Sequence, residues 1–175
     1  MKVSEFFDGT AVTRAGVGLR GGDYRAAGRL LAGPFGFGGT GGNVSPALSW
    51  TGAPEGTRGF ALTCFDPDAP TGSGFWHWVV VNLAPSVSGL PAGAGSGGTV
   101  GLPEGALQTR TDFGSVGYGG PCPPVGDHPH RYVFTVHALD VAALPVAADT
   151  PAAVIGFQLH GATVARASLM GLCRR

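Results

Sequence analysis

The segment Phe60–Pro70, FALTCFDPDAP, decides the fold because it joins a strand of buried type to an acidic turn. Its first six residues, Phe60 to Phe65, are apolar at both odd and even positions. A strand with one wet face alternates between polar and apolar residues, whereas a strand covered on both faces does not. The segment therefore predicts a central strand that is followed directly by two carboxylates.

Other segments predict further strands. Trp76–Asn82 (WHWVVVN) and Arg131–Leu139 (RYVFTVHAL) are rich in β-branched and aromatic residues and are also apolar on both parities. Leu48–Trp50 and Val3–Phe7 predict shorter strands. The glycine-dense stretches 33–42 and 89–101 predict surface loops, because glycine adopts unusual dihedrals and has no side chain to bury.

A helix is predicted late in the chain. Pro151 suits the first helical position, and Asp149 or Thr150 suits the cap before it. Apolar residues continue at roughly helical spacing: Ile155, Leu159, Val164, Leu169 and Met170. The fold class predicted is therefore mainly β, with a helix packed late against the strands.

Composition limits the class of protein. The chain has 175 residues, including 32 glycines and 14 prolines, and 43% of it is apolar. This composition excludes a helical bundle, a collagen and a disordered chain, and the length suits one domain, 1–175. Lysine plus arginine equal aspartate plus glutamate at 11 each, so no overall positive field attracts nucleic acid.

The N-terminal segment and the cysteines indicate the cellular compartment in which we expect the protein. MKVSEFFDGT lacks the apolar run of a secretory signal, and no segment approaches the ~20 apolar residues of a membrane span. We therefore expect a cytoplasmic protein without integral membrane association. Cys64, Cys122 and Cys173 form no C-x-x-C pair, which predicts reduced thiols rather than a disulfide framework.

The acidic turn has two interpretations. Asp66 and Asp68 flank Pro67 at a strand exit, where both carboxylates can face a shared cleft. Asp-Pro is also ordinary turn chemistry, in which an aspartate bonds the following backbone amides. We expect Asp68 to close the turn, and Asp66 to face a ligand and orient a histidine.

Polar rings begin the two flanking strands. His77 lies between two tryptophans and is either a core histidine with satisfied nitrogens or an imidazole oriented by Asp66. His130 and Tyr132 share one face of their strand by the period-two rule. His137 and His160 occur in apolar runs and are assigned to structure.

The loop Gly119–Pro124 holds two glycines and three prolines in six residues. Such a rigid loop can form a pocket wall, with amides such as that of Cys122 bonding an anion, or can be a structural turn. Its prolines make a cis peptide bond a candidate feature. No base neighbours Cys122 in the sequence, which disfavours a nucleophilic thiol.

The common catalytic motifs are absent, including G-x-S-x-G, the P-loop, G-x-G-x-x-G, H-E-x-x-H and the EF-hand loop. Two aspartates and two histidines could supply mixed oxygen and nitrogen ligands to a metal. Their spacing matches no standard metal site, and carboxylate–imidazole pairs also bind anions without a metal.

Taken in order, the segments resemble the phosphatidylethanolamine-binding protein family, also called Raf kinase inhibitor-like proteins. The resemblance covers the chain from about Phe35 to its end, and the G-P-C-P-P segment is similar to the bacterial and archaeal branch. It is carried by Asn43–Trp50 (NVSPALSW), Phe60–Pro70, Trp76–Asn82, Leu102–Ala106 (LPEGA) and Asp112–Tyr132 (DFGSVGYGGPCPPVGDHPHRY).

The resemblance implies a β-sandwich with a large central antiparallel sheet and a small anion-binding pocket at one end of it. The ligand-binding residues it implies are Asp66, Asp68, His77, Pro121, Cys122, Pro123, His130 and Tyr132. Two departures stand out. Gly39 replaces a cysteine that relatives often carry, and Cys173 replaces a tyrosine, which removes an aromatic lid expected from the C-terminal helix.

The leading functional interpretation is a non-catalytic binding and regulatory protein without cofactor or metal. Its pocket would recognise phosphate-like groups on small molecules, phospholipid head groups or phosphorylated side chains, more tightly as pH falls towards the histidine range near ~6.5. Family analogy adds a protein kinase or protease as an inhibited partner, and a homodimer is a further candidate. The alternative is a hydrolase that uses Asp66 and His77 as a base, or a metal-assisted phosphoesterase.

Overall fold

The computed structural model describes residues 12–14, 18–21, 42–96 and 101–175. The predicted strand Val3–Phe7 and most of the glycine-dense stretch 33–42 lie outside these ranges. Within them the chain forms nine strands and one helix. The elements are β1 (Val12–Arg14), β2 (Gly18–Gly21), β3 (Leu48–Thr51), β4 (Gly59–Asp66), β5 (Phe75–Leu83), β6 (Gly89–Leu90), β7 (Leu107–Gln108), β8 (His130–Leu139), α1 (Ala152–Ala162) and β9 (Thr163–Cys173).

Six strands form one large sheet in the order β1-β9-β8-β4-β5-β7, and three form a small sheet in the order β2-β3-β6. Strand β4 is central, because it pairs antiparallel with β5 on one side and with β8 on the other. The three strands predicted from their apolar character are β4, β5 and β8. Each extends the predicted segment by a residue at one or both ends.

Both faces of the large sheet are covered, which explains why its central strands are apolar on both parities. On one face, Leu62 and Phe134 pack with Trp50 and Leu90 of the small sheet. On the other face, residues including Ala61 pack against the buried side of α1. The predicted mainly-β sandwich with a large antiparallel sheet and one late helix is therefore confirmed.

The C-terminal helix is shorter than predicted. It ends at Ala162, and the residues that follow form β9, which pairs with β8 along its whole length. In β9 buried and more exposed residues alternate, so Leu169 is buried while Val164 and Met170 are exposed. Pairing with the edge of β8 therefore outweighs the helical spacing of these apolar residues.

The predicted cap of α1 is also wrong. Pro151 itself occupies the cap position, and no side chain caps the helix. The Thr150 hydroxyl instead accepts a hydrogen bond from the Ala147 amide at 2.9 Å. This bond closes a turn before the helix rather than starting it.

The predicted loop 89–101 begins with a strand. Gly89 pairs with Ser49 in the small sheet. A Cβ atom at Gly89 would lie 2.6 Å from the Leu48 carbonyl oxygen, so the close approach of these strands requires glycine.

No cis peptide bond occurs in the described ranges. No helix in this part of the chain is long and apolar enough to cross a bilayer.

Candidate functional site

The sheet topology gathers the predicted polar residues at one end of the large sheet. Because β4 runs antiparallel to both neighbours, its last residue, Asp66, lies beside the first residues of β5 and β8. His77 is the third residue of β5, and His130 is the first of β8. Residues far apart in the sequence thus meet at one strand edge.

Asp66 is buried, with 2% of its surface exposed. Its Oδ1 accepts a hydrogen bond from the Asp68 amide at 2.8 Å, which closes the acidic turn. Its Oδ2 accepts a hydrogen bond from Nδ1 of His130, also at 2.8 Å. Both oxygens are therefore used inside the protein, and Asp66 carries the turn-closing role that we expected of Asp68.

Asp68 ties the turn to β8 from the solvent side. Its carboxylate accepts hydrogen bonds from the backbone amide, Nε and Nη2 of Arg131, at 2.7–2.9 Å. These bonds lower the pKa of Asp68 to about 2. The architectural role predicted for Asp68 is therefore present, and its carboxylate binds the guanidinium group of Arg131 as well as a backbone amide.

His130 lies between two carboxylates. Its Nδ1 bonds to Asp66, and its Nε2 lies 3.2 Å from Oδ2 of Asp127. Burial lowers the pKa of His130, but the hydrogen bonds and charges of Asp66 and Asp127 outweigh burial, so the pKa is raised. In the imidazolium form each ring nitrogen donates a hydrogen bond to a carboxylate.

Asp127 is a site residue that the sequence reasoning missed. It precedes His130 by three residues in the segment D-H-P-H, and that spacing was the available signal. The hydrogen bonds from His128 and His130 lower the pKa of Asp127 to about 2. Asp127 therefore stays ionised and completes the pair of carboxylates around His130.

The imidazole ring of His77 packs among three aromatic rings. Its ring centre lies 5.0 Å from that of Tyr132 and 5.2 Å from those of Phe75 and Phe113. Its Nδ1 donates a hydrogen bond to the Gly119 carbonyl oxygen at 2.8 Å. Burial lowers the pKa of His77 to about 4, so the ring is neutral at pH 7.

Of the two interpretations of His77, the structure bears out the core histidine whose nitrogen is bonded within the protein, because Asp66 bonds to His130 and acts on the pKa of His77 only through its charge. We expected the imidazoles of the pocket to gain charge near pH ~6.5, but burial lowers the pKa of His77 to about 4.

The Tyr132 hydroxyl is buried and forms no hydrogen bond with good geometry in the described ranges, and the Tyr132 ring packs edge-on against that of His77. Burial and the charge of Asp66 raise its pKa, and the Cys122 backbone amide opposes part of that rise. A buried polar group without a partner costs about 1–3 kcal/mol. A ligand atom that bonds this hydroxyl would recover that cost.

The proline-rich loop forms a wall beside His77. Pro121 and Pro123 are buried, and Cys122 is half-buried. The Gly119 amide donates to the His77 carbonyl oxygen at 2.8 Å, and the Gly120 amide donates to Oδ1 of Asn43 at 2.7 Å. These two amides are thus already bonded within the protein, so at Gly119 and Gly120 the loop acts as a structural turn rather than as a donor to an anion.

Asn43 is a second residue that the sequence reasoning did not single out. Besides accepting from Gly120, it donates from Nδ2 to the Tyr118 carbonyl oxygen at 3.0 Å. Its backbone has φ 52°, a left-handed conformation that asparagine tolerates better than most residues. Asn43 therefore positions the loop whose Gly119 carbonyl orients His77.

The remaining histidines lie elsewhere. His137, near the other end of β8, bonds through Nδ1 to the Thr163 hydroxyl at 3.1 Å, and burial lowers its pKa to about 4. His160 lies on α1 and is exposed, so it is not part of the interior. Both line a groove between α1 and the large sheet.

The metal ligand set considered from the sequence is not assembled, because Asp68 bonds to Arg131 and His77 bonds to Gly119. A different set is close together. The ligand atoms of Asp127, His128 and His130 all lie within 4.8 Å of one another. One carboxylate and two imidazoles are a donor set that suits a divalent transition metal.

The comparisons with known proteins agree with this fold. A family model described as phosphatidylethanolamine-binding protein matches residues 23–174. The chain therefore belongs to the phosphatidylethanolamine-binding protein family.

Its relatives place it in the bacterial and archaeal UPF0098 branch of that family. It is 53% identical over 137 residues to the UPF0098 protein YbhB of Escherichia coli, a match that covers 78% of this chain and 85% of YbhB. It is 52% identical over 134 residues to YbcL of the same organism, covering 77% of this chain and 73% of YbcL.

Solved structures show the same fold. The crystal structure of Escherichia coli YbcL, a member of the PEBP family, superposes with a TM-score of 0.84 at 44% identity, covering 92% of this chain and 99% of YbcL. A phosphatidylethanolamine-binding protein homologue of Chlamydia trachomatis gives a TM-score of 0.70 at 30% identity, covering 93% of this chain and 99% of that one.

Proposed function

We propose that this chain is a non-catalytic binding protein whose pocket, formed by Asp66, His77, His130 and Tyr132, takes a phosphate-like group. The observation that carries the proposal is the Tyr132 hydroxyl, which is buried without a good hydrogen bond on a ring that packs against His77. Buried polar groups in proteins are nearly always bonded, and an exception calls for a ligand, an ion or a water.

The chemistry of the neighbouring groups suits a phosphate oxygen. The Tyr132 hydroxyl can donate a hydrogen bond to such an oxygen. His130 supplies the positive charge, because two carboxylates raise its pKa. Asp127 is the more exposed of those carboxylates, with 32% of its side-chain surface accessible. A phosphate oxygen can therefore replace Asp127 as the acceptor of the hydrogen bond from Nε2 of His130.

A hydrolase that uses Asp66 and His77 as a base has no such support, because these two residues bond to different partners. We therefore assign the pocket to binding without turnover. The ligand class is a phosphate monoester, with the phosphate on a small molecule, a lipid head group or a protein side chain.

Titration calorimetry with phosphoethanolamine tests the proposal. Tyr132→Phe should weaken binding at least about tenfold, since a hydrogen bond to a charged group is worth about 1.5–3 kcal/mol. His160→Gln, on the exposed surface of α1, is the matched control and should bind like the wild type. Equal affinity in Tyr132→Phe and the wild type, or release of inorganic phosphate during the titration, would refute binding without turnover at this pocket.

A further inference from the structure

Three side chains of the types that bind metals in proteins, those of Asp127, His128 and His130, meet at the surface end of the site. Nδ1 of His128 lies 2.9 Å from Oδ1 of Asp127, and Nε2 of His130 lies 3.2 Å from Oδ2 of the same carboxylate. Ligand atoms of a tetrahedral zinc, each about 2.0–2.2 Å from the metal, are separated by about 3.4 Å. The three side chains are therefore close to the spacing that a shared metal ion requires.

A fourth residue, outside this cluster, prepares His130 to be a ligand. The Asp66 carboxylate accepts the hydrogen bond from Nδ1 of His130, and both side chains are almost fully buried. This fixes the proton on Nδ1 and directs Nε2 towards Asp127. Metal-ligating histidines characteristically donate their other ring N–H to a carboxylate in this way.

We propose that Asp127, His128 and His130 bind a divalent transition metal of the zinc type, with Asp66 orienting His130 behind it. The two imidazole nitrogens select such ions over magnesium and calcium, which prefer oxygen ligands. The side chains of His128 and Asp127 are 60% and 32% exposed, so the ion is reached from solvent and keeps coordination positions open.

The metal changes what the pocket can hold, a consequence that rests on the proposed function. Asp66 and Asp127 place two negative charges around His130, and His77 beside them is uncharged at pH 7. A divalent ion bound by Asp127, His128 and His130 takes the place of the proton on Nε2 of His130. Its two positive charges then balance the two carboxylates, and it offers an open position to a phosphate oxygen.

Zinc titration of the full chain tests the metal site. We expect one ion per chain, with affinity at least about tenfold weaker in His128→Gln and in Asp127→Asn. His160→Gln, which removes an exposed histidine on α1, should leave the affinity unchanged, and magnesium should not compete. Cysteine thiolates also bind zinc, and Cys122 is half-buried, so the series is repeated in Cys122→Ser.

Wild-type zinc affinity in His128→Gln and Asp127→Asn would overturn the metal site, as would zinc binding that disappears in Cys122→Ser. His128 is exposed, so His128→Gln should melt like the wild type, and a loss of zinc binding there cannot be ascribed to unfolding. Cobalt provides a second readout, since its visible absorption should report nitrogen and oxygen ligands without thiolate.

Two titrations of the protein with inorganic phosphate, one in the presence of EDTA and one in the presence of zinc, separate the metal site from the proposed function. Tighter phosphate binding with zinc in the wild type, but not in His128→Gln, supports the coupling. Phosphate binding that is equal in both conditions overturns the coupling and leaves the anion pocket standing. Zinc binding without any phosphate binding contradicts the proposed function and leaves the metal site standing.

Discussion

Nδ1 of His130 donates a 2.8 Å hydrogen bond to Oδ2 of Asp66, joining the start of β8 to the end of β4. Both side chains are buried, and the other oxygen of Asp66 holds the Asp68 amide. One carboxylate thus closes the acidic turn and orients the buried imidazole of His130. This double role makes Asp66 a structural residue as well as a site residue.

Asp66→Ala should destabilise the protein more than Asp68→Ala. Removing Asp66 leaves a buried amide and a buried imidazole without their partner, which should lower the free energy of unfolding by about 2–4 kcal/mol. Asp68 bonds to Arg131 near the surface, and its loss should cost about 1 kcal/mol or less. Urea denaturation of both variants measures the difference. A larger loss in Asp68→Ala would show that the surface clamp holds the turn.

Stability should fall as pH drops from 6.5 to 4. Burial lowers the pKa of both His77 and His137 to about 4. As the pH falls, these two histidines are protonated near pH 6.5 in the unfolded chain but only near pH 4 in the folded protein. The free energy of unfolding that is present above pH 6.5 is therefore lost between pH 6.5 and 4. Each histidine contributes up to about 1.4 kcal/mol per pH unit.

Thermal melts between pH 4 and 7 test this dependence on single and double variants. His77→Gln and His137→Gln should each remove part of the slope, and the double variant most of it. An unchanged slope in the double variant would place the acid sensitivity elsewhere. His130 acts in the opposite direction. Because its pKa is raised in the folded protein, its contribution to the free energy of unfolding is present below pH 6.5 and declines as the pH rises above that value.

Asp127→Asn should lower the pKa of His130. The substitution removes the charge of Asp127 and turns an acceptor of the Nε2 proton into an amide, so Asp66 alone is left to raise that pKa. An NMR titration of the imidazole nitrogens measures the midpoint directly. Asp140→Asn, an exposed carboxylate just beyond the other end of β8, is the control and should leave the His130 midpoint in place. Equal midpoints in Asp127→Asn and the wild type would exclude Asp127 as a partner.

Two glycine-to-alanine changes should act in opposite directions. A Cβ atom at Gly119 would overlap the ring of Phe113, which packs against His77, so Gly119→Ala should cost about 1–3 kcal/mol and weaken ligand binding. A Cβ atom at Gly161, near the end of α1, would meet no atom within 4 Å beyond the adjoining backbone of the helix itself. Gly161→Ala should therefore stabilise the protein by up to about 1 kcal/mol. Differential scanning calorimetry resolves both signs, and stabilisation by Gly119→Ala would show that Phe113 moves freely.

The central strands and several residues of the site, though not Asp127, were predictable from local sequence. Apolar residues on both parities in Phe60–Phe65 require a strand covered on both faces, and β4 has this position. The period of two puts His130 and Tyr132 on one face of β8, and both are buried. Chemistry at strand ends is local information, so Asp66, His77 and His130 could be named before the fold was known.

Which of these groups bond to one another was decided only by the tertiary structure. Asp66 and His130 are 64 positions apart, and the sheet order and register bring Asp66 to His130 while the Gly119 carbonyl takes Nδ1 of His77. Segment 163–173 is a second example. The spacing of its apolar residues fits a helix, but in the folded protein the segment forms a strand that is hydrogen-bonded to β8 along its length. Local patterns set what each segment can form, whereas pairing over long sequence distances selects among those forms, since its hydrogen bonds exist only once the chain has folded.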